Sequence, residues 1–164
     1  MITIRNAGLG DIALIVSMAQ QVWEPTYRHI LSAEQLSYMF EMMYSPDALN
    51  RQMQNGQQFL IAQDGDRACG FSSFELKDSG QTIKIHKLYV LPSAQGKGLG
   101  HMLLADIEKR GNALGGVKIS LNVNRFNKAY VFYIKEGFYK AGEEDIEIGM
   151  GYLMEDYIME KRLI

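Results

Sequence analysis

The spacing of apolar residues changes character along the chain. "ITIR" at the start alternates and predicts a short strand. Ile12, Ile15, Ala19 and Val22 then recur at helical spacing, with Asp11 placed to cap the helix and Pro25 placed to disturb its end beside Trp23 and Tyr27. "SAEQLSYMFEMMY" predicts a second helix, opened by a capping box of Ser32 and Gln35. Ser45 followed by Pro46 repeats the pattern of an N-cap with proline at the first helical position. From residue 58 the period drops to two. "QFLIAQ" and "ACGFSSFEL" predict strands joined by "DGD", a hairpin signal. "TIKIHKLYV" predicts a third strand with Thr82, Lys84, His86, Leu88 and Val90 on one face. A helical stripe of Leu99, Leu103, Ile107 and Leu114 follows, then a strand with Val117, Ile119, Leu121 and Val123 on one face. "NKAYVFYIKEGF" predicts a short helix ended by Gly137, and two strands near 138–149 and 153–162 close the chain. The order β-α-α-β-β-β-α-β-α-β-β is a mixed α/β fold with meander and crossover parts.

Composition narrows the class. The 164 residues fit one domain, 1–164, with 47% hydrophobic and 22% charged residues. No linker, repeat or low-complexity tract divides it. No apolar run approaches the ~20 residues that span a bilayer, and the N-terminus lacks the basic start and apolar core of a signal peptide. The single cysteine, Cys69, forbids an internal disulfide and most metal-site spacings, so no metal is expected. These features favour the cytoplasm and no membrane partner. A net charge of −2 and the lack of a basic stripe give no case for nucleic acid. The ten methionines, Met42 and Met43 among them, read as core filler. The acidic run Glu143 to Glu147 reads as a solvated strand or turn.

The stretch "QGKGLG" places Gly96, Gly98 and Gly100 between a strand and a helix. Unpaired amides at a helix start and a positive dipole end make an anion site, glycines admit the ligand to the backbone, and Lys97 adds charge. A glycine turn without a ligand is the alternative. The pattern is neither a nucleotide P-loop nor a dinucleotide-binding fingerprint, since G-x-G-x-G follows a meander.

Gln95, Gly98 and Gly100 match the acetyl-coenzyme A signature Gln/Arg-x-x-Gly-x-Gly/Ala of the GCN5-related N-acetyltransferases. "LYVLP" precedes it as in that family's central strand, and "NKAYVFYIKEGF" resembles the family element N-x-A-x-x-x-Y-x-x-x-G-F. The resemblance covers essentially the whole chain. It implies a mostly antiparallel twisted sheet of about seven strands flanked by helices, and acetyl transfer from acetyl-coenzyme A to an amine. It implies that the backbone of Leu88, Tyr89 and Val90 pairs with the pantetheine arm, and that Gln95, Gly96, Lys97, Gly98, Leu99, Gly100 and His101 surround the pyrophosphate. Asn127 is implied to contact the cofactor or to fix the helix after it. Family members often carry asparagine seven residues before the tyrosine, where this chain has Phe126. The implied place of Tyr133 is beside the thioester sulfur.

The chemistry sets further demands. An alkyl amine with a pKa of about 10.4 costs roughly 4–5 kcal/mol to deprotonate at pH 7. A base must take that proton, and the departing thiolate needs a donor. A tyrosine of pKa about 10 hydrogen-bonds to a thiolate of pKa about 8.5, full transfer being uphill by roughly 2 kcal/mol. Tyr133 suits the donor role, the alternative being a core aromatic. His86 on the central strand suits the base, where family members often carry glutamate there or at the Lys84 position. The alternatives are a lone strand histidine and, as base, Glu75. Tyr89 and Tyr130 read as wall residues. Trp23 and Tyr27 read as core aromatics, yet in the family the first two helices and their loop form the acceptor pocket, which makes Glu24, Tyr27 and His29 substrate-side candidates; Glu75, ending the preceding strand, is a further one. "VWEPTY", the long second helical region and the ending "YLMEDYIMEKRL" resemble the bacterial spermidine/spermine N-acetyltransferases and point to a small-molecule amine. Acetylation of a protein N-terminus or lysine, and a non-catalytic coenzyme A-binding sensor, are the competing readings. A homodimer is left open.

Overall fold

A computed structural model describes residues 1–163. Strand β1 (Ile2–Ala7) leads through a 3-10 turn into helices α1 (Ile12–Tyr27), α2 (Ala33–Tyr44) and α3 (Pro46–Gln54). Strands β2 (Gln58–Asp64), β3 (Arg67–Lys77) and β4 (Thr82–Val90) form a meander. Helix α4 (Leu99–Ala113), strand β5 (Lys118–Asn124), helix α5 (Ala129–Lys135) and strands β6 (Tyr139–Gly149) and β7 (Tyr152–Arg162) complete the chain. The seven-stranded sheet has the order β1-β2-β3-β4-β5-β7-β6. Among the described residues only β4 and β5 run parallel, joined by the α4 crossover. The second helical region divides at Ser45, whose side chain accepts from the Ala48 amide.

Adjacent residues of β3 show how the layers are built. Gly70 faces Leu103 of α4, while Phe71 stacks edge-on against Tyr44 of α2. Alternation along a strand therefore sends one residue to each helical layer. The core runs through both layers, from Ile15, Met18 and Val22 to Leu103, Leu104 and Ile107. Each such side chain contributes about 1.5–3 kcal/mol on burial.

Several local expectations need correction. Asp11 does not cap α1 with its side chain. Its carboxylate instead accepts from the Gly8 amide at 2.9 Å and from two Arg5 nitrogens at 2.8 and 3.1 Å, closing the turn before the helix. Pro25 does not interrupt the end of α1, which runs through it to Tyr27. A proline so near the last turn loses one backbone bond, and buried Trp23 and Tyr27 on either side hold the helix in place. Only half of the Ser32 box forms: Ser32 accepts from the Gln35 amide, but the Gln35 side chain donates to the Leu153 carbonyl. Leu114 lies beyond the stripe of α4 and is exposed, and Gly111 takes its place against Ile83. Val117 precedes β5 and is exposed, and Met42 faces solvent.

Candidate active site

The parallel neighbours β4 and β5 stay together for only four residues. Their pairing runs from Thr82 against Lys118 to Ile85 against Leu121. Beyond it β4 keeps its bonds to β3 as far as Val90, and β5 keeps its bonds to β7 as far as Asn124. The two strands therefore separate and leave the β5-facing edge of residues 86–90 without a strand partner. Unpaired strand edges are templates for an extended ligand.

The register of β4 against β3 shifts between Ser73 and Phe74, so that Lys87 lies opposite Ser73 but Ile85 opposite Phe74. The extra residue is His86. This bulge breaks the expected single face of Thr82, Lys84, His86, Leu88 and Val90. Ile83 faces α4, and so does Leu88 five residues later, against Gly100. Lys87 and Tyr89 turn the other way, onto the rings of Tyr44, Phe59 and Phe71. Bulges re-aim side chains in this manner next to functional sites. His86 is aimed at Glu75, with Nε2 and Oε1 2.7 Å apart. Burial lowers the His86 pKa below its ordinary value, more than the Glu75 carboxylate raises it. Burial raises Glu75 in turn, but hydrogen bonds from His86 and Lys77 bring it below the ordinary carboxylate range. With Glu75 ionised, the neutral imidazole donates from Nε2, which leaves Nδ1 free to accept a proton.

The loop Gln95–Gly98 follows a 3-10 turn at Pro92–Ala94. Gly96 and Gly98 have φ of 82° and 76°, and nothing lies within 4 Å of where their side chains would stand. Left-handed backbone and open space in front of it fit an approaching ligand. Gly100 has a different reason: a Cβ there would stand 3.2 Å from Phe132 of α5. The third glycine makes room for the protein itself. The first backbone bond of α4 runs from Met102 to Gly98 at 3.0 Å, so the amides before it have no partner within the helix. Gln95 ties the loop to the Val90 carbonyl at 3.3 Å. Lys97 is exposed, the Leu99 side chain is in the core, and His101 Nδ1 meets Glu136 Oε1 at 2.5 Å, joining α4 to α5.

Across the split, α5 presents Tyr133, packed between the rings of Phe132 and Phe138. It is 7% exposed, and burial followed by the nearby Tyr27 raises its pKa well above the ordinary phenol value. Asn127 fixes the start of α5, its Oδ1 accepting from the Ala129 amide at 2.9 Å. Tyr27 of α1 reaches the same region, its hydroxyl 3.2 Å from that of Tyr89. Burial raises Tyr27, the Tyr89 bond lowers it, the Asp156 charge raises it again and Asn127 lowers it. Residues from both faces of the sheet thus meet where the strands part. Glu24 and His29 stand elsewhere. Glu24 pairs loosely with Arg28 at 3.9 Å and lines a cleft of about 590 Å³ with Trp23, Phe40 and Glu41 between α1 and α2. His29 is exposed beside Arg28. The sequence reading missed Lys87, buried on aromatic rings, and Asp156 of β7. Alternation alone places Lys87 out of the core, and only strand pairing brings Asp156 to the split.

Residues 27–156 match the model of the acetyltransferase (GNAT) domain family. The spermidine N(1)-acetyltransferase of Thermoplasma acidophilum is 29% identical over 98% of this chain and 97% of its own length. An uncharacterised N-acetyltransferase of Bacillus subtilis, YuaI, is 25% identical over 93% of each chain. Among solved structures, the PaiA N-acetyltransferase of Thermoplasma acidophilum in complex with coenzyme A superposes with a TM-score of 0.82 at 28% identity, covering 99% of both chains. A family match over most of the chain agrees with the split sheet, the left-handed glycine loop and the placed tyrosine: the protein belongs to the GNAT acetyltransferases and takes acetyl-coenzyme A as its acyl donor.

Proposed function

We propose that the protein acetylates a primary amine of a small molecule of the polyamine type, by direct attack of the amine on acetyl-coenzyme A in a ternary complex. The observation that carries this reading is the split between β4 and β5, with the His86–Glu75 pair at its root and Tyr133 across it. The cofactor supplies an activated thioester. The main chain of Leu88, Tyr89 and Val90 offers the free edge on which the pantetheine arm lies, and the amides of residues 96–101 offer donors to the pyrophosphate. His86 Nδ1 takes the amine proton, and Glu75 stabilises the imidazolium that results. Tyr133 donates a hydrogen bond to the departing sulfur. Its raised pKa makes full proton transfer more uphill than the ordinary values imply, so it acts as a donor rather than as the source of the proton. Full-length similarity to a spermidine N(1)-acetyltransferase supports the polyamine class.

The test is release of free thiol from acetyl-coenzyme A with spermidine, with monoamines and with peptides bearing a free N-terminus or lysine. Turnover of spermidine above the peptides is expected. Preference for peptides would move the protein to the protein-acetylating class. Tight coenzyme A binding with no turnover of any amine would make it a sensor.

A further inference from the structure

Near the far end of the split stands a carboxylate that no cation of the described residues bonds directly. Asp156 of β7 lies opposite Asn124, three residues past the point where β4 leaves β5. It is 4% exposed. Its Oδ2 accepts from the Asn122 amide nitrogen at 3.2 Å. Its Oδ1 is buried and has no hydrogen-bond partner among the described residues. A buried acceptor left this way costs about 1–3 kcal/mol, and more when charged.

The basic side chains nearby are engaged elsewhere. Lys84 of β4 donates to Asn122 Oδ1 at 2.7 Å. Arg125 donates to the main-chain oxygen of Asp156 at 3.4 Å and pairs its guanidinium with Asp145. A second carboxylate, Glu144 of β6, accepts from the same Asn122 nitrogen at 3.3 Å. On the α1 side stands Tyr27, whose hydroxyl feels the Asp156 charge. Asn122 thus donates to two carboxylates from one NH2 group and accepts the lysine on its oxygen. What Asp156 Oδ1 lacks among the described residues is a direct donor, and no cation bonds its carboxylate there.

Resting on the acetyl transfer proposed above, we infer that Asp156 is the acceptor-binding carboxylate, its free Oδ1 taking an ammonium group of the substrate in the split. Glu144 beside it suits an acceptor with a second ammonium a few carbons away, a diamine or longer oligoamine rather than a monoamine. Asp156 then sets specificity and leaves proton removal to His86. Burial, the largest influence on it, and Glu144 raise the Asp156 pKa, while Asn122, Lys84 and Arg125 lower it. A bound ammonium stabilises the charged form that burial disfavours.

The experiment compares Asp156→Asn with the unaltered protein at saturating acetyl-coenzyme A, using spermidine and butylamine. The variant is expected to raise the KM for spermidine at least tenfold and to leave the KM for acetyl-coenzyme A within about twofold and kcat within about threefold. Asp156→Glu should recover part of the loss, and butylamine should feel the substitution less than spermidine. An unchanged amine KM, or a loss confined to kcat, overturns the inference. Carbon-13 shifts of aspartate carboxyl groups in the unaltered protein give a reading that needs no variant to fold. Spermidine should move the Asp156 signal, and a signal that stays put overturns the inference too. Absence of turnover by the unaltered protein with every amine is the separate result that sinks the proposed reaction.

Discussion

At neutral pH the His86 ring is uncharged, because burial outweighs the pull of Glu75 on its proton. A base in that state works until pH falls through its pKa, which lies below the ordinary imidazole value. Activity should therefore fall on the acid side of that point. His86→Ala should cost about 10²–10⁴ in kcat/KM at pH 7 and remove the acidic limb; an intact limb in the variant rules His86 out as the base. Tyr133 stays protonated across the physiological range. Tyr133→Phe should lose most of kcat while coenzyme A affinity, read by calorimetry, stays within about twofold. An unchanged kcat would take Tyr133 out of the mechanism. Lys87 is the third residue whose protonation matters. Burial alone lowers its pKa to about 8, and its ammonium rests on the rings of Tyr44 and Phe59. Between that value and the unfolded one, near 10.4, the unfolded chain holds a proton that the folded chain has released. Stability should rise with pH across that window. Lys87→Met should stabilise the fold by about 2 kcal/mol at pH 7 and flatten the rise, as measured by urea unfolding at pH 7 and 9. A destabilised variant would show that the ammonium–ring contacts outweigh desolvation.

Element by element, glycine placement explains the precision with which α4 meets β4. A Cβ on Gly111 would fall 2.3 Å from Ile83 Cδ1, and one on Gly116 2.5 Å from Ile83 Cγ1. Both glycines let the end of the helix and the turn after it lie directly on the strand. Gly111→Ala should cost about 1–3 kcal/mol in denaturant unfolding, with part recovered by Ile83→Val, which removes the nearest atom. Full stability in the single variant would mean that Ile83 has a second rotamer to move into. The stripe Leu99, Leu103 and Ile107 was readable from the sequence, but its fourth member was read as Leu114 because a glycine carries no hydrophobic signal. The caps at Ser32 and Ser45, the "DGD" hairpin and the Gly137 stop were also readable, since each works through atoms a few residues apart. The bulge at His86 was not, because it exists only in the register of β4 against β3.

For the molecule as a whole, the sheet is one continuous surface except where β4 and β5 part, and that gap brings Tyr27 of α1 near enough to Tyr133 of α5 for the two to influence each other. Ligand entering the gap should be felt mainly along its edges. Coenzyme A at about 100 times its Kd should stabilise the fold by about 2.7 kcal/mol. Amide exchange should slow in residues 88–90 and 96–101, while β1 and β6, at the outer edges of the sheet, change little. Equal slowing in all strands would place the ligand elsewhere. The sequence by itself determined the order of the strands, the caps at Ser32 and Ser45, the turns, the family and the place of the glycine loop, because each is written in neighbouring residues or in spacing within one element; it counted one helix too few before β2. Tertiary structure alone decided which way His86 points, that Gly100 yields to Phe132, that Lys87 is buried with no counter-ion among the described residues, and that Asp156, 70 positions beyond His86 in the chain, lies by the same split. Those facts depend on strand register and on helices meeting from opposite faces. Such contacts join residues far apart in the chain and have no local spacing to betray them.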